Sequence, residues 1–146
     1  MSATVYADTS LLVSLYLADV NTAAAISAVS ATGRPLILTS WQQFELENAF
    51  QIRFSRRESS RVDLAAADAR ITADLAAGML VETPLPFASV LPLARQLTAR
   101  YTATAGTRAF DVFHVAAALH LKAARFLTFD ARQLALARAA GLRTQA

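Results

Sequence analysis

Short apolar runs alternate with longer segments of helical periodicity along this chain, and most of the runs end at an acid or a hydroxyl residue. Thr4 to Ala7, Leu36 to Thr39 and Phe126 to Phe129 are too short for helices and almost wholly apolar, the pattern of strands buried on both faces of a sheet. Between them the spacing predicts helices from Leu11, over Val20 to Thr32, from Trp41 to about Arg57, and from Ser59 or Ser60 to Gly78. Three more are predicted over Phe87 to Tyr101, Ala109 to Ala123 and Ala131 to Ala140, with Thr102 to Thr107 as a loop. Gly33 reads as a left-handed residue closing the second helix, with Pro35 just beyond it. Met79 to Thr83 is expected as an edge strand because Pro84 and Pro86 follow it, and Leu142 to Thr144 as a short closing strand. This alternation predicts an α/β fold with a parallel sheet covered on both faces by right-handed crossovers. Nothing in residues 1–146 reads as a repeat or linker, so the chain is expected to be one domain.

Composition narrows the chemistry. With 55% hydrophobic residues, the 146-residue chain can bury a core without covalent staples. It has no cysteine, which excludes thiol nucleophiles and thiolate metal sites and is compatible with a reducing cytosol. No basic segment precedes an apolar run at the N-terminus, and apolar stretches fall well short of the ~20 residues that span a bilayer. A cytoplasmic protein with no membrane partner is expected. The net charge is +3, and all but one of the fourteen basic residues are Arg, whose planar fork suits phosphate or carboxylate.

Four acids stand out against the apolar pattern. Asp8 and Asp130 follow strands, where ligands bind in open α/β sheets. Asp111 interrupts the first turn of an apolar helix. Glu45 falls on the same helical face as Trp41, Phe44, Asn48 and Ile52, with Glu47 on the opposite side. For Asp8, Asp111 and Asp130 the structural alternative is helix capping. Thr9 and Ser10 can cap the first helix and release Asp8 from that task, Ser40 is expected to cap the third helix, and Thr107 is the better-placed cap ahead of Asp111. A nearly buried carboxylate then needs a partner, either Arg108 or a divalent metal. Carboxylate oxygens without cysteine form a hard ligand set suited to Mg²⁺ or Mn²⁺.

The segments YADTS at Tyr6 to Ser10, ELENA at Glu45 to Ala49, RAFDVFHVAAAL at Arg108 to Leu119 and FLTFDARQ at Phe126 to Gln133 resemble the four motifs of PIN-domain nucleases, most closely the VapC-type toxins. The resemblance spans almost the whole chain. It implies a three-layer αβα sandwich with a five-stranded parallel sheet, an Mg²⁺- or Mn²⁺-dependent endoribonuclease, a cognate antitoxin protein and a homodimer. Carried over residue by residue, the catalytic and metal-binding acids are Asp8, Glu45, Asp111 and Asp130, with Ser10 and Thr128 as polar support. Position 47, often basic in this motif, is Glu here.

Other residues have competing readings. His114, one turn after Asp111, can face the site, although an apolar helix more often holds a neutral, hydrogen-bonded core histidine; His120 faces elsewhere. Arg53, Arg56, Arg57 and Arg61 suit either an RNA backbone or a solvated or antitoxin-contacting face. Trp41 and the Phe residues read as core before stacking platforms. A phosphoacceptor domain would need a Lys after a late strand, whereas Lys122 lies within a helix. A haloacid-dehalogenase-like phosphatase would need Asp where Ser10 stands. The remaining rival to the nuclease is a non-catalytic protein- or RNA-binding module on the same fold.

Overall fold

The computed structural model describes residues 3–145, in which four short strands alternate with helices. The strands are β1 (Val5–Ala7), β2 (Leu36–Leu38), β3 (Leu80–Glu82) and β4 (Arg125–Leu127). All pair in parallel, in the order β3-β2-β1-β4, with Val5 opposite both Leu36 and Arg125. Successive side chains point to opposite faces. Val5, Ala7, Leu36, Leu38 and Leu127 join one core with α1 (Thr9–Tyr16), α2 (Thr22–Thr32), α3 (Ser40–Ser55) and α4 (Arg61–Ala76). Tyr6, Ile37 and Phe126 join the other with α5 (Phe87–Leu97), α7 (Ala109–His120) and α8 (Ala131–Ala139), while α6 (Ala103–Ala105) is a single turn. The result is the expected αβα layering. Gly33 closes α2 at φ 60°, a conformation that costs glycine nothing.

The fifth strand of the expected sheet is reduced to one bridge, Phe126 to Thr144, supported by the Phe126 N–H donating to the Arg143 carbonyl at 2.7 Å. Beyond it the Gln145 side chain, rather than backbone, bonds the Thr128 N–H and C=O, so the ladder stops. The edge position of β3 holds. The expected loop over Thr102 to Thr107 is helical through Ala105, because a wide turn over Thr98–Thr102 carries α5 into α6 before Gly106 breaks it at φ 64°.

The inward face of α3 also differs from expectation. Gln42, Leu46 and Phe50 are buried, whereas Phe44 is 61% exposed. Its cap is Thr39, not Ser40: the Thr39 hydroxyl accepts from the Gln42 N–H at 3.1 Å, and the Gln42 side chain accepts from the Thr39 N–H at 2.9 Å. The displaced aromatics gather instead into a partly exposed face, where Trp41 packs on Phe44, Phe87, Phe110 and Phe113 beside a groove of ≈ 440 Å³. Among the described residues no helix is long and apolar enough to cross a membrane.

Candidate active site

β1 and β4 are neighbours, yet the chain leaves β1 into α1 on one face and β4 into α8 on the other. Diverging connections of this kind open a crevice beyond the carboxyl ends of the strands, the general ligand position of open α/β sheets. Asp8 leaves β1 at this point, and Thr128 and Asp130 leave β4.

Asp8 is almost fully buried and, against expectation, has a capping task. Its Oδ1 accepts from the Leu11 N–H at 2.9 Å, and its Oδ2 accepts from the Ser10 hydroxyl at 3.0 Å and the Thr128 hydroxyl at 2.8 Å. Capping and site chemistry are therefore compatible, since both need the carboxylate beyond the strand end. Burial pushes the Asp8 carboxyl up from its usual range, against the lowering pull of those three donors. Thr128 continues the network: its Oγ1 lies 2.9 Å from Gln133 Oε1 and accepts from the Asp130 N–H at 3.0 Å. Gln133, fully buried, donates to the Asp111 carbonyl at 3.3 Å. Asp130 caps α8 by accepting from the Gln133 N–H at 2.9 Å.

Asp111 lies in the first turn of α7, whose cap position is Arg108 with no side-chain cap bond; the expected cap, Thr107, bonds Thr102 at 3.2 Å instead. Its carboxyl is pushed up first by desolvation and then by the Asp130 carboxylate, while the Arg108 backbone, His114 and the Arg108 guanidinium pull it down. Among the described residues Arg108 makes no ion pair with Asp111. A carboxyl raised by a neighbouring carboxylate is suited to a bound cation.

Glu45, half-buried on α3, accepts at Oε1 from the Thr9 hydroxyl at 2.9 Å and lies 2.6 Å from His114 Nε2. His114 Nδ1 in turn lies 2.6 Å from the Tyr6 hydroxyl. This histidine is a buried, hydrogen-bonded residue of an apolar helix, and its second partner is Glu45, one of the four acids that stand out in the sequence. Burial, then the charges of Glu45 and Asp8, push the Tyr6 phenol well above its ordinary value, so it stays a donor. Tyr6, Thr9, Gln42 and Gln133 were not singled out by spacing. The available signal for Tyr6 was a phenol in a strand buried on both faces, which must find a partner.

Among the described residues no three Asp, Glu or His side chains converge closely enough to enclose a metal ion. The donor chemistry nevertheless fits Mg²⁺ or Mn²⁺: the groups facing the crevice are hard oxygens, and Mg²⁺ commonly takes one or two carboxylates and completes its shell with water and substrate phosphate. A second hollow of ≈ 440 Å³ adjoins the rim, lined by Ser10, Glu45, Ile52, Arg53, Arg56 and Phe129. Arg53 is held by Asp19 at 2.5 Å and by Glu58 at 3.4 Å, and Arg61 lies over the Phe54 ring, so the basic cluster is partly structural. Arg56 and Arg57 are exposed. Glu47 is exposed on the far side of α3, and His120 is exposed at the end of α7.

The family model for the PIN domain matches residues 5–141, from the first residue of β1 to just past α8. The chain belongs to the PIN-domain family. Two solved structures share this PIN fold. VapC20 of Mycobacterium tuberculosis, described as a toxin that cleaves the sarcin-ricin loop, is 17% identical over 94% of this chain and 95% of its own, with a TM-score of 0.64. PAE2754 from Pyrobaculum aerophilum is 21% identical over 97% of this chain and 83% of its own, with a TM-score of 0.56. No curated protein sequence matches significantly.

Proposed function

We propose that this PIN-domain protein is a metal-dependent endoribonuclease and the toxin of a toxin–antitoxin pair. The observation that carries the reading is the hydrogen-bonded line at the carboxyl ends of β1 and β4 from the Asp8 carboxylate through Thr128 and Gln133 to the Asp111 backbone carbonyl, with Asp130 near enough to raise the Asp111 carboxyl. Asp8, Glu45, Asp111 and Asp130 would hold Mg²⁺ or Mn²⁺. A bound ion supplies water activation and charge neutralisation for in-line attack on a phosphodiester. Ser10 and Thr128 orient the Asp8 carboxylate, and the His114–Tyr6 pair lies behind Glu45. The toxin role rests on the motif resemblance and on the fold shared with VapC20. Its partner would be an antitoxin protein covering the acidic rim, and the exposed aromatic face around Trp41 supports a homodimer.

RNA cleavage should require Mg²⁺ or Mn²⁺. Excess EDTA is expected to stop it and added metal to restore it, and the same metal should raise the melting temperature, because binding to the folded state stabilises by mass action. Cleavage that continues in EDTA would refute the metal mechanism.

The second hollow, beside Glu45 and lined by Arg56 and Phe129, supports a path for a single RNA strand. Arg56→Ala should raise KM several-fold at unchanged kcat and reduce the salt slope of RNA binding by roughly 0.7, the loss of one phosphate contact to a single strand. An unchanged salt slope would remove Arg56 from that path.

The open arrangement of the acids favours one rival, a non-catalytic binding module on the same fold. Such a module should show no metal-induced rise in melting temperature.

A further inference from the structure

Glu45 differs from the other three acids in how it is placed. Asp8 and Asp130 follow strands and are held by caps, and Asp111 sits in the first turn of α7. Glu45 lies in the second turn of α3 with no capping bond, on a long side chain that backbone geometry leaves free to choose among rotamers. What restrains it comes from two other elements. The Thr9 hydroxyl of α1 and His114 Nε2 of α7 both meet Oε1, at 2.9 and 2.6 Å, and among the described residues Oε2 has no protein donor. His114 is 3% exposed, and its other nitrogen is 2.6 Å from the Tyr6 hydroxyl, whose ring is itself stacked on Phe126.

We propose that Tyr6 and His114 form a positioning relay that ties Glu45 Oε1 and presents Oε2 alone to the rim. This rests on the nuclease reading above. The relay works by fixing the orientation of the histidine ring. The Glu45 carboxylate can only accept, so the proton of the neutral ring resides on Nε2, and Nδ1 is left to accept from the Tyr6 phenol. Without the phenol, Nδ1 loses its donor and the ring loses one of the two bonds that hold it, although the carboxylate keeps the proton on Nε2. The arrangement parallels the general rule that groups behind a ligand set its orientation, with typical costs of about 10- to 100-fold in metal affinity or activity when they are removed. Neither residue touches the reacting phosphate, so both are positioning residues.

The test uses the full-length protein with Tyr6→Phe, His114→Leu and His114→Gln. Tyr6→Phe keeps the ring on Phe126 and removes one hydroxyl, so it is the variant that stays informative if His114→Leu folds poorly. Three quantities are read: Mn²⁺ affinity by calorimetry, kcat and KM for RNA cleavage, and the His114 tautomer by ¹⁵N NMR of the metal-free protein. The parent and Tyr6→Phe should both show the Nε2–H tautomer, with the Nδ1 resonance of Tyr6→Phe moved by the loss of its donor. Tyr6→Phe and His114→Leu should each weaken Mn²⁺ binding about tenfold and lower kcat with KM nearly unchanged. His114→Gln, which can still donate to Oε1, should recover part of that loss. In a Glu45→Gln background the His114→Leu effect should disappear, as expected for coupled neighbours. The relay is overturned if the parent carries Nδ1–H, or if both variants bind Mn²⁺ and cleave within twofold of the parent. A parent that neither binds Mn²⁺ nor cleaves RNA refutes the nuclease reading and, with it, the metal-directed task of the relay. That result is distinguishable, because the tautomer is read independently of metal.

Discussion

Asp8→Asn is expected to abolish RNA cleavage, by at least about 1000-fold, while the metal-free protein melts no lower than the parent. The activity loss corresponds to roughly 4 kcal/mol of transition-state stabilisation. The stability half of the prediction follows from the surroundings of Asp8. Asn is as good an N-cap as Asp, so the bond from the Leu11 N–H survives, and the Ser10 and Thr128 hydroxyls can turn to accept from the new amide. What disappears is a buried charge. The folded-state pKa of Asp8 is raised from 3.8, chiefly by desolvation, so the native state holds its proton to higher pH than the unfolded chain does. Parent stability therefore falls as pH rises from the unfolded value through the raised one, and Asn escapes that loss. The advantage of the variant should vanish near about pH 4 and be largest at neutral pH without metal. Asp111→Asn should follow the same direction, since desolvation and then Asp130 raise its carboxyl. Glu47→Gln, at an exposed site, is the control. Thermal melts across pH paired with cleavage assays decide the matter. Cleavage by Asp8→Asn within about tenfold of the parent, under ~1.4 kcal/mol, would remove Asp8 from the catalytic set.

Gln42→Leu is expected to destabilise the protein by roughly 2–6 kcal/mol, because two buried backbone groups lose their partners at about 1–3 kcal/mol each. The Gln42 amide donates to the Ala7 carbonyl at 2.8 Å and accepts from the Thr39 N–H at 2.9 Å, and Ala7, Thr39 and Gln42 are each 0% exposed. The first bond fastens the start of α3 to the carboxyl end of β1, one residue before Asp8 and three residues before Glu45 along α3. At about 2–4 °C per kcal/mol for a domain of this size, the melting temperature should fall by roughly 10 °C. The neighbouring Gln43→Leu, whose bond to Glu82 is solvent-exposed and long at 3.4 Å, should stay within about 0.5 kcal/mol. A melt of Gln42→Leu indistinguishable from that of Gln43→Leu would show that the linkage contributes nothing.

Local pattern was enough for the elements whose signals are local. Apolar runs too short for helices identified β1, β2 and β4, prolines placed β3 at an edge, and Gly33 ended α2 where a left-handed residue was needed. The order of strands and helices implied a parallel αβα sheet, which made the strand-end acids Asp8 and Asp130 legible as site candidates before any side chain was seen. Hydrophobic pattern failed wherever polar groups do the burying. On α3 it pointed to Trp41, Phe44 and Ile52, whereas the helix starts over the rim of the sheet, where the Ala7 carbonyl and Thr39 N–H demand hydrogen bonds that Gln42 supplies. The fifth strand shrank to a bridge because the Gln145 side chain competes for the Thr128 backbone, an interaction no strand propensity encodes. Asp8 kept its capping role although Thr9 and Ser10 stood next to it, since the Thr9 hydroxyl was drawn to Glu45 and Ser10 to Asp8 itself. Sequence by itself determined the fold class and three of the acids' addresses at helix starts. That Tyr6, His114 and Glu45, from three separate elements, meet in one hydrogen-bonded line was decided by tertiary packing, because their partners lie 108 and 69 positions apart and only the closed sheet brings them within bonding distance.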